Sequence, residues 1–303
     1  PRAAVTVVTG TPRRSAAYIR EHLPAGAGVI CFDEYAPLFA GHIVHRLGSQ
    51  EDKLAQAQHV FDALRTFDDT DVTAIFAQCP DESGLGLAVG NRLKKAAGFH
   101  TVDVSPLVIG FTGPTGAGKT SALRALERLG GLVLDCDAVY HDLLRTDSTL
   151  RDAITGAFGQ VFAPDGTLDR QRLGTVVFSD PAALDTLNRI IYARLPRELL
   201  RRMDESSAPV VGIDAINLVE SGLCRLCRRT VAVLAPSEQR VRRIMARDGI
   251  PEEYARLRVQ AQKDDEFYRT HCTDTLFNDC ADAAAFEDAA YAALHRILKE
   301  ERA

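Results

Sequence analysis

A glycine-rich loop with one lysine and two hydroxyl side chains carries the clearest chemistry in this sequence. The loop fits the pattern G-x-x-x-x-G-K-[ST] from Gly113 to Thr120, and it follows the apolar residues 107–112. Glycines let the backbone curl so that successive N–H groups converge on phosphate oxygens, helped by the positive end of the next helix. The pattern therefore predicts a nucleotide polyphosphate site, with an ordinary glycine-rich turn as the alternative.

The residue types in the loop suggest individual roles. We expect Lys119 to reach the β- and γ-phosphates and the Thr120 hydroxyl to ligate the Mg²⁺ between them. The residues that we expect to bind the phosphates are Gly113, Thr115, Gly116, Ala117, Gly118, Lys119, Thr120 and Ser121.

Acidic residues follow two further predicted strands. Asp135 and Asp137 come directly after the apolar residues 132–134, and Asp214 ends the strand near 209–213. Ligands of open parallel sheets bind at the carboxyl ends of strands, which puts Asp137 beside the glycine-rich loop. There it is suited to accept a proton from an attacking hydroxyl or to hold Mg²⁺ through water. Capping of the next helix is the alternative, and it is the stronger for Asp135.

A predicted helix after the strand near 230–235 is rich in arginine. It carries Arg240, Arg242, Arg243 and Arg247. Such a helix could close over a nucleotide and stabilise charge on the transferring phosphoryl group, and Arg247 is the first candidate for that role. A solvated basic face is an equal alternative for any one of these side chains.

Apolar periodicity divides the chain into two parts. Residues 1–104 alternate strands and helices and predict a separate, smaller α/β domain, which the resemblance described below implies to be Rossmann-like. Its clearest helix lies near 50–67, where Leu54, Ala57, Val60, Phe61, Leu64 and Phe67 are expected to share one buried face. Residues 105–303 predict a P-loop NTPase parallel sheet with helical substrate and lid insertions. The stretch 141–203 is expected to be helical, and 281–298 to form a terminal amphipathic helix.

The composition sets limits on function. With 303 residues, 46% hydrophobic and 25% charged, the chain has the profile of a soluble globular protein, and no apolar stretch reaches the length of a membrane span. A net charge of −5 argues against broad nucleic-acid binding.

Seven scattered cysteines favour reduced thiols in the cytoplasm, although Cys224 and Cys227 have the spacing of a redox or metal pair. No signal peptide is visible, and the start at Pro1 is consistent with a chain cut from a longer one.

Several short segments of the second part resemble the dephospho-CoA kinase family. In order they are FTGPTGAGKTS, LVLDCDAVYHDLL, DGTLDRQRL, LNRIIYARL, GIDAINLVESGL, RRIMARDGI, RVQAQ and LFND, within residues 107–280. The resemblance implies transfer of the ATP γ-phosphoryl group to the ribose 3′-hydroxyl of dephospho-CoA, giving CoA and ADP. It also implies that residues 116–121 bind ATP, that Asp137 is the general base, that 141–203 form the CoA-side helical domain, and that 240–263 form a lid.

The sequence departs from the family pattern at two places. The usual His-Pro reads Tyr192-Ala193, and the usual Pro-Leu-Leu-Phe-Glu reads Ile216-Asn-Leu-Val-Glu220. These departures affect the residues expected near the acceptor and leave the nucleotide loop intact.

The first part resembles the C-terminal, Rossmann-like domain of threonylcarbamoyl-adenylate synthases. The segments DEYAPLFAGHIVHRLGS (33–49), FDALRTFDD (61–69) and CPDESGLGLAVGNRLKKAAGF (79–99) carry the resemblance. It implies ancestry and fold and does not assign the synthase activity, because the catalytic domain of those enzymes precedes this one.

Three other functions compete with dephospho-CoA phosphorylation. The chain could be another small-molecule P-loop kinase, acting on nucleosides or nucleotides. A GTP-dependent switch would need an N-K-x-D segment, and the sequence has none. The third alternative is an accessory role in tRNA threonylcarbamoyl modification through the first domain.

Overall fold

The computed structural model describes residues 2–80, 84–163 and 165–301. Two predicted segments therefore extend beyond it in part, because residues 81–83 of the segment 79–99 and Pro164 of the helical stretch 141–203 lie outside the described residues. The chain divides into two compact units, Pro1–Ser105 and Pro106–Ala303. Each unit contains its own five-stranded sheet, and all pairs between neighbouring strands are parallel. The α/β fold class predicted from the sequence is confirmed.

Unit 1 is a parallel sheet with strand order β3-β2-β4-β1-β5. Its strands are β1 (Ala4–Thr9), β2 (Gly28–Cys31), β3 (Ile43–Arg46), β4 (Ala74–Gln78) and β5 (Thr101–Asp103), and its helices are α1 (Pro12–His22), α2 (Lys53–Thr66) and α3 (Leu85–Ala96), with 3₁₀ turns at Asp33–Phe39 and Phe67–Asp69. Buried Gln78 fixes the turn after β1, because its amide donates to Pro12 O at 2.7 Å and to Ser15 Oγ at 2.9 Å.

The predicted buried face of α2 is only partly correct. Val60, Leu64 and Phe67 are buried, as expected, but Leu54 is 60% exposed and Phe61 is 45% exposed. The polar side chain of Gln56 occupies part of that face instead, where its amide donates to Ser49 O at 2.7 Å. A buried glutamine with a hydrogen-bond partner is tolerated where an apolar side chain was expected.

Unit 2 is a second parallel sheet with strand order β10-β9-β6-β8-β7. Its strands are β6 (Leu107–Thr112), β7 (Leu132–Asp135), β8 (Val210–Asp214), β9 (Arg229–Leu234) and β10 (Asp274–Phe277). Its helices are α4 (Lys119–Arg128), α5 (Cys136–Thr146), α6 (Ser148–Phe158), α7 (Arg170–Ser179), α8 (Pro181–Tyr192), α9 (Leu195–Glu205), α10 (Ser237–Asp248), α11 (Glu252–Gln260), α12 (Asp265–His271) and α13 (Ala283–Glu300), with a 3₁₀ turn at Leu223–Leu226.

The strand order explains where a ligand can bind. The chain passes from β6 to β7 on one side of the sheet and reaches β9 on the other side, so the order reverses at β6. The carboxyl end of a strand at such a reversal opens into a crevice, because the flanking connections leave in opposite directions. The glycine-rich loop follows β6 and therefore lies at this crevice.

Helices α5 to α9 form a helical block between β7 and β8. Their apolar faces share a core with β8 that includes Leu143, Ile154, Leu187, Leu199 and Ile213. The terminal helix α13 packs instead against α4 and β6, through Phe286 and Leu294 among others. Both the helical stretch and the terminal helix predicted from the sequence are present. None of the helices in the described residues is long and apolar enough to span a membrane.

Candidate active site

Two glycines of the loop after β6 are required by its geometry. Gly113 has φ of +140°, and a Cβ there would lie 2.2 Å from the carbonyl oxygen of Val233. Gly118 has φ of +105°, and a Cβ there would lie 2.3 Å from Nδ2 of Asn278. Positive φ and the absence of space both exclude larger residues. The loop therefore follows a path that only glycine permits at these two positions.

The loop carbonyls are held from outside by side chains that are distant in sequence. Arg240 Nε donates to Thr115 O at 3.0 Å, and Asn278 Nδ2 donates to Ala117 O at 2.8 Å. Arg243 Nη1 donates to Gly116 O at 3.2 Å. In a planar trans peptide the N–H points away from the C=O, so the N–H groups of Gly116 and Gly118 are turned opposite to these bonded carbonyls. These contacts preorganise the loop for phosphate binding.

Thr115 is fixed in a different way. Its N–H donates to Gln262 Oε1 at 3.0 Å, and its Oγ1 accepts from Gln262 Nε2 at 2.9 Å. Arg240 Nη2 also donates to Gln262 Oε1, at 2.7 Å. The backbone amide of Thr115 is thus directed to Gln262 and not to a phosphate, although the residue lines the cleft.

The loop borders a cleft of about 280 Å³. It is lined by Gly113, Pro114, Thr115, Gly116, Ala117, Gly118, Lys119, Thr120, Ile216, Arg243, Ile244 and Arg247. Ser121, which the sequence placed among the phosphate ligands, is not in this lining. It is buried in the first turn of α4, where its N–H donates to Gly118 O at 3.0 Å.

Lys119 forms an ion pair with Asp214 at the end of β8. The two side chains are 18% and 17% exposed, so the pair is mostly shielded from water. Burial raises the pKa of Asp214 above its usual value even though Lys119 opposes the shift, and the charges of Asp135 and Asp137 raise it further. The site therefore holds a lysine ammonium and a carboxylate that both lack full hydration, next to the cleft.

The other two acidic residues are both exposed but differ in their hydrogen bonds. Asp135 lies opposite Asp214 in the β7–β8 ladder, and its Oδ1 accepts the N–H groups of Asp137 at 2.8 Å and Ala138 at 3.2 Å. Asp135 is thus the N-cap of α5, which was the alternative considered from the sequence. Asp137 lies in the first turn of α5 with an exposed side chain, and its charge acts on Asp214 and on Cys136.

The arginines of α10 have different environments. Arg240 is buried and Arg243 is partly buried, and both bond to the loop. Arg247 lines the same cleft near the end of the helix, but its side chain is 61% exposed and its Nε donates to Asp248 Oδ1 at 2.7 Å. That bond to Asp248 raises the pKa of Arg247. The sequence indicated an arginine-rich helix but could not separate these roles.

A second cleft, of about 670 Å³, opens in the helical block. It is lined by His141, Leu144, Arg145, Arg151, Asp165, Gly166, Thr167, Leu168 and Arg170. His141 follows Asp137 by one helical turn on α5, and its Nε2 lies 3.0 Å from Arg170 Nη2. Three arginines and one aspartate are the charged residues of this lining, so the cleft favours an anionic ligand.

The cysteine pair has no metal-binding environment. Cys224 and Cys227 are free thiols, and burial raises the pKa of Cys227 to about 12. A thiol with a raised pKa is a poor nucleophile and a poor metal ligand. Within residues 2–80, 84–163 and 165–301, no group of three or more His, Cys, Asp or Glu side chains is arranged to hold a metal.

Two residues that position the loop were not singled out from the sequence. Gln262 and Asn278 occur inside the segments RVQAQ and LFND, but neither residue type signals a phosphate loop by itself. Their partners Thr115 and Ala117 are 147 and 161 residues away in the chain. No local pattern could have shown those contacts.

Comparison with known proteins supports the resemblance of the first unit. Residues 1–98 match the family model described as threonylcarbamoyl-AMP synthase, C-terminal domain. This match confirms the relationship that was predicted from the segments within residues 33–99.

The second unit has many relatives of one kind. Residues 107–283 match the family model described as dephospho-CoA kinase. The dephospho-CoA kinase of Idiomarina loihiensis is 34% identical over 173 residues, which cover 57% of this chain and 86% of the relative. That of Thermobifida fusca is 37% identical over 160 residues, covering 52% and 79%. The crystal structure of TT1252 from Thermus thermophilus has a TM-score of 0.54 and 32% identity, covering 64% of this chain and 97% of that one. The chain belongs to the dephospho-CoA kinase family.

Proposed function

We propose that unit 2 binds ATP at the glycine-rich loop and dephospho-CoA along the helical block, and joins them at Asp137. As a member of its family the chain is a kinase that transfers the γ-phosphoryl group of ATP to the ribose 3′-hydroxyl of dephospho-CoA. The observation that carries the assignment of roles is the Lys119–Asp214 ion pair beside the cleft, with Asp135 and Asp137 at the same edge of the sheet.

Lys119 supplies the positive charge for the phosphates. Its ammonium is paired with Asp214, which holds it beside the loop. When the β- and γ-phosphates enter, the ammonium exchanges this carboxylate for phosphate oxygens. The amides of Gly116 and Gly118 and the N-terminus of α4 add further attraction for negative charge.

The residues present fit a Mg²⁺ ion next to the phosphates. Mg²⁺ is generally held by one or two protein oxygens together with substrate phosphates and water, so no cage of protein ligands is required. Thr120 lines the cleft and carries a hydroxyl, and Asp214 is a poorly hydrated carboxylate that gains from a nearby cation. Bound there, Mg²⁺ would neutralise charge on the β- and γ-phosphates.

Asp137 is the proposed general base. Of the three acidic residues at this edge, it is the one whose carboxylate neither caps the helix nor pairs with the lysine, and its side chain is exposed. It accepts the proton of the acceptor 3′-hydroxyl while the hydroxyl oxygen attacks the γ-phosphorus, and ADP leaves. Arg247 then stabilises charge on the transferring group once its contact with Asp248 is released.

The cleft of the helical block is the proposed site of the rest of dephospho-CoA. That substrate carries a diphosphate, and Arg145, Arg151 and Arg170 line the cleft together with Asp165, while Arg145 is also paired with Asp142. Because His141 lies one turn beyond Asp137, an acceptor whose ribose reaches Asp137 can extend along α5 into this cleft.

A cytoplasmic location belongs to the same proposal, and the seven free thiols suit a reducing compartment.

A direct assay tests the acceptor. Purified protein is incubated with Mg²⁺-ATP and either dephospho-CoA or a panel of nucleosides and nucleotides, and product masses and ADP release are measured. We expect CoA from dephospho-CoA and little ADP from the other acceptors. Phosphorylation of a nucleoside without formation of CoA would overturn the assignment in favour of another small-molecule kinase.

Substitutions test the roles of the residues. Lys119→Ala and Asp137→Asn should each lower kcat by about 10²- to 10⁴-fold, since each removes charge or proton transfer from the reaction. Asp135→Asn is the matched control. It lies two residues before Asp137, and asparagine can still cap helix α5. If Asp135→Asn reduced kcat as strongly as Asp137→Asn, general-base catalysis by Asp137 would be wrong.

A further inference from the structure

Tyr192 links the helical block to the loop beside the ATP cleft. It is the last residue of α8, is half-buried, and its hydroxyl accepts a hydrogen bond from the Asn217 amide. Asn217 lies three residues after Asp214, next to Ile216. Ile216 lines the ATP cleft, and its carbonyl accepts the Thr112 hydroxyl at 2.8 Å. The loop after β8 therefore contacts the ATP side through Ile216 and the acceptor side through Asn217.

The phenol of Tyr192 retains a donor for another group. Asn217 donates to the phenol oxygen, so the phenol hydrogen is not used in that bond. Within the described part of the chain, no further group bonds to this hydroxyl. Burial raises the pKa of Tyr192, which keeps the phenol protonated near neutral pH.

The surroundings of Tyr192 place this donor near the proposed reaction. The charged forms of Cys136, Asp137 and Glu220 all act on its pKa, so the phenol lies within electrostatic range of the proposed general base. Asp137 and Glu220 are acidic, and neither accepts the phenol hydrogen. A partly buried O–H donor without an acceptor is unfavourable unless water or a ligand completes it.

Both partners also lie where the sequence departs from its family. Tyr192 replaces the histidine of the usual His-Pro, and Asn217 replaces the first leucine of Pro-Leu-Leu-Phe-Glu. The two departures are far apart in the chain but hydrogen-bonded in the structure. They form one local arrangement and not two separate changes.

We propose that Tyr192 donates its phenol hydrogen to an oxygen of the acceptor substrate next to the reacting hydroxyl, and that Asn217 orients the ring for this contact. The inference rests on the proposed function, since it assumes that the acceptor ribose lies at Asp137. Tyr192 is then a specificity residue that contacts substrate, and Asn217 is a positioning residue that acts through it.

Binding and kinetics of matched variants test this inference. Tyr192→Phe keeps the ring and removes the donor, so it should raise the KM and the Kd for dephospho-CoA by about 5- to 10-fold, with the KM for ATP unchanged. Asn217→Ala should raise the same constants by about 2- to 3-fold, because the donor remains but its orientation is lost. The double variant should be no worse than Tyr192→Phe alone. Tyr192→His, which restores a donor, should recover part of the loss.

The readouts separate this inference from the proposed function. The Kd for dephospho-CoA is measured by calorimetry without ATP, and thermal unfolding of each variant shows that the fold is intact. If the unaltered chain fails to bind dephospho-CoA, both the function and the inference fall. If it binds and forms CoA but Tyr192→Phe binds equally well, only the inference is overturned. An equal rise in the KM for ATP would also overturn it, since that result indicates a structural role.

Discussion

Replacement of Asn278 by alanine should weaken ATP binding, although it changes no residue of the glycine-rich loop itself. Asn278 is only 3% exposed, and its amide donates to Ala117 O at 2.8 Å. Ala117 is itself fully buried, so its carbonyl cannot turn to water when the amide is removed. The substitution therefore leaves a buried acceptor short of a partner at the point where the loop must keep its amides towards the phosphates.

The free-energy cost of this substitution depends on the hydrogen bonds that the Ala117 carbonyl keeps. Leaving a buried acceptor unpaired costs about 1–3 kcal/mol. Arg243 Nη1 also reaches Ala117 O, at 3.4 Å, and compensates in part, so we expect the lower half of that range, about 1–2 kcal/mol. If this free energy is lost from the binding-competent loop, the KM for ATP rises by about 5- to 30-fold. If it is lost from folding, the Tm of a unit of this size falls by roughly 2–8 °C.

Steady-state kinetics and thermal unfolding together check the prediction. The KM is measured for ATP at saturating dephospho-CoA and then for dephospho-CoA at saturating ATP, and Tm is measured with and without ATP. Asn91→Ala is the control, because Asn91 is an exposed asparagine on α3 in the other unit. A normal Tm with a normal KM for ATP would refute the reasoning, and so would a rise confined to the KM for dephospho-CoA.

Two further predictions concern backbone geometry and pH. Gly118→Ala should reduce ATP turnover and Tm far more than Gly130→Ala, because both glycines have positive φ, with a strain of about 1–3 kcal/mol for another residue, but only Gly118 lacks space for a Cβ. Equal losses of Tm in the two variants would contradict this account. Hydrogen bonds from Arg201 and Arg202 outweigh the opposing effect of burial and lower the pKa of Glu198 from its usual 4.5 to about 2. The ionised Glu198 therefore makes its full contribution to the free energy of unfolding above pH 4.5, and this contribution is lost as the pH falls towards 2. After allowance for solvent screening it amounts to about 1 kcal/mol, and unfolding of Glu198→Gln across pH 7 to 3 should show a smaller dependence on pH than the unaltered chain.

The nucleotide side of the site could be predicted from the sequence because its signal is local. A strand, a loop with fixed glycine positions and a helix occur within residues 107–128, and the chemistry of phosphate binding requires that order. The acidic residues were also found locally, since each follows an apolar strand, and the sheet order then aligns Asp135 with Asp214. What a parallel sheet brings together at its carboxyl edge can be expected without coordinates.

The supporting contacts could not be predicted, because they depend on packing between distant segments. The position of Asn278 against Ala117 depends on how the chain beyond β10 lies against the loop, and no spacing in the sequence encodes that. The same limit explains the error on α2. Helical periodicity predicted Leu54 and Phe61 to be buried, but periodicity gives the direction of a side chain and not the extent of the neighbouring surface.

The arrangement of α10 suggests why one helix carries so many arginines. Arg240 and Arg243, one turn apart near the middle of the helix, are fixed to the carbonyls of the glycine-rich loop, so this part of the helix supports the loop directly. Arg247, in the last turn, lines the same cleft and donates to Asp248, which also accepts from Arg258 of the following helix at 2.6 Å. Because Asp248 has a second cationic partner, release of Arg247 towards a phosphate leaves that carboxylate paired. One helix therefore combines arginines that hold the loop with an arginine in its last turn, and the role proposed for Arg247 requires that its bond to Asp248 be exchanged for one to the transferring phosphoryl group.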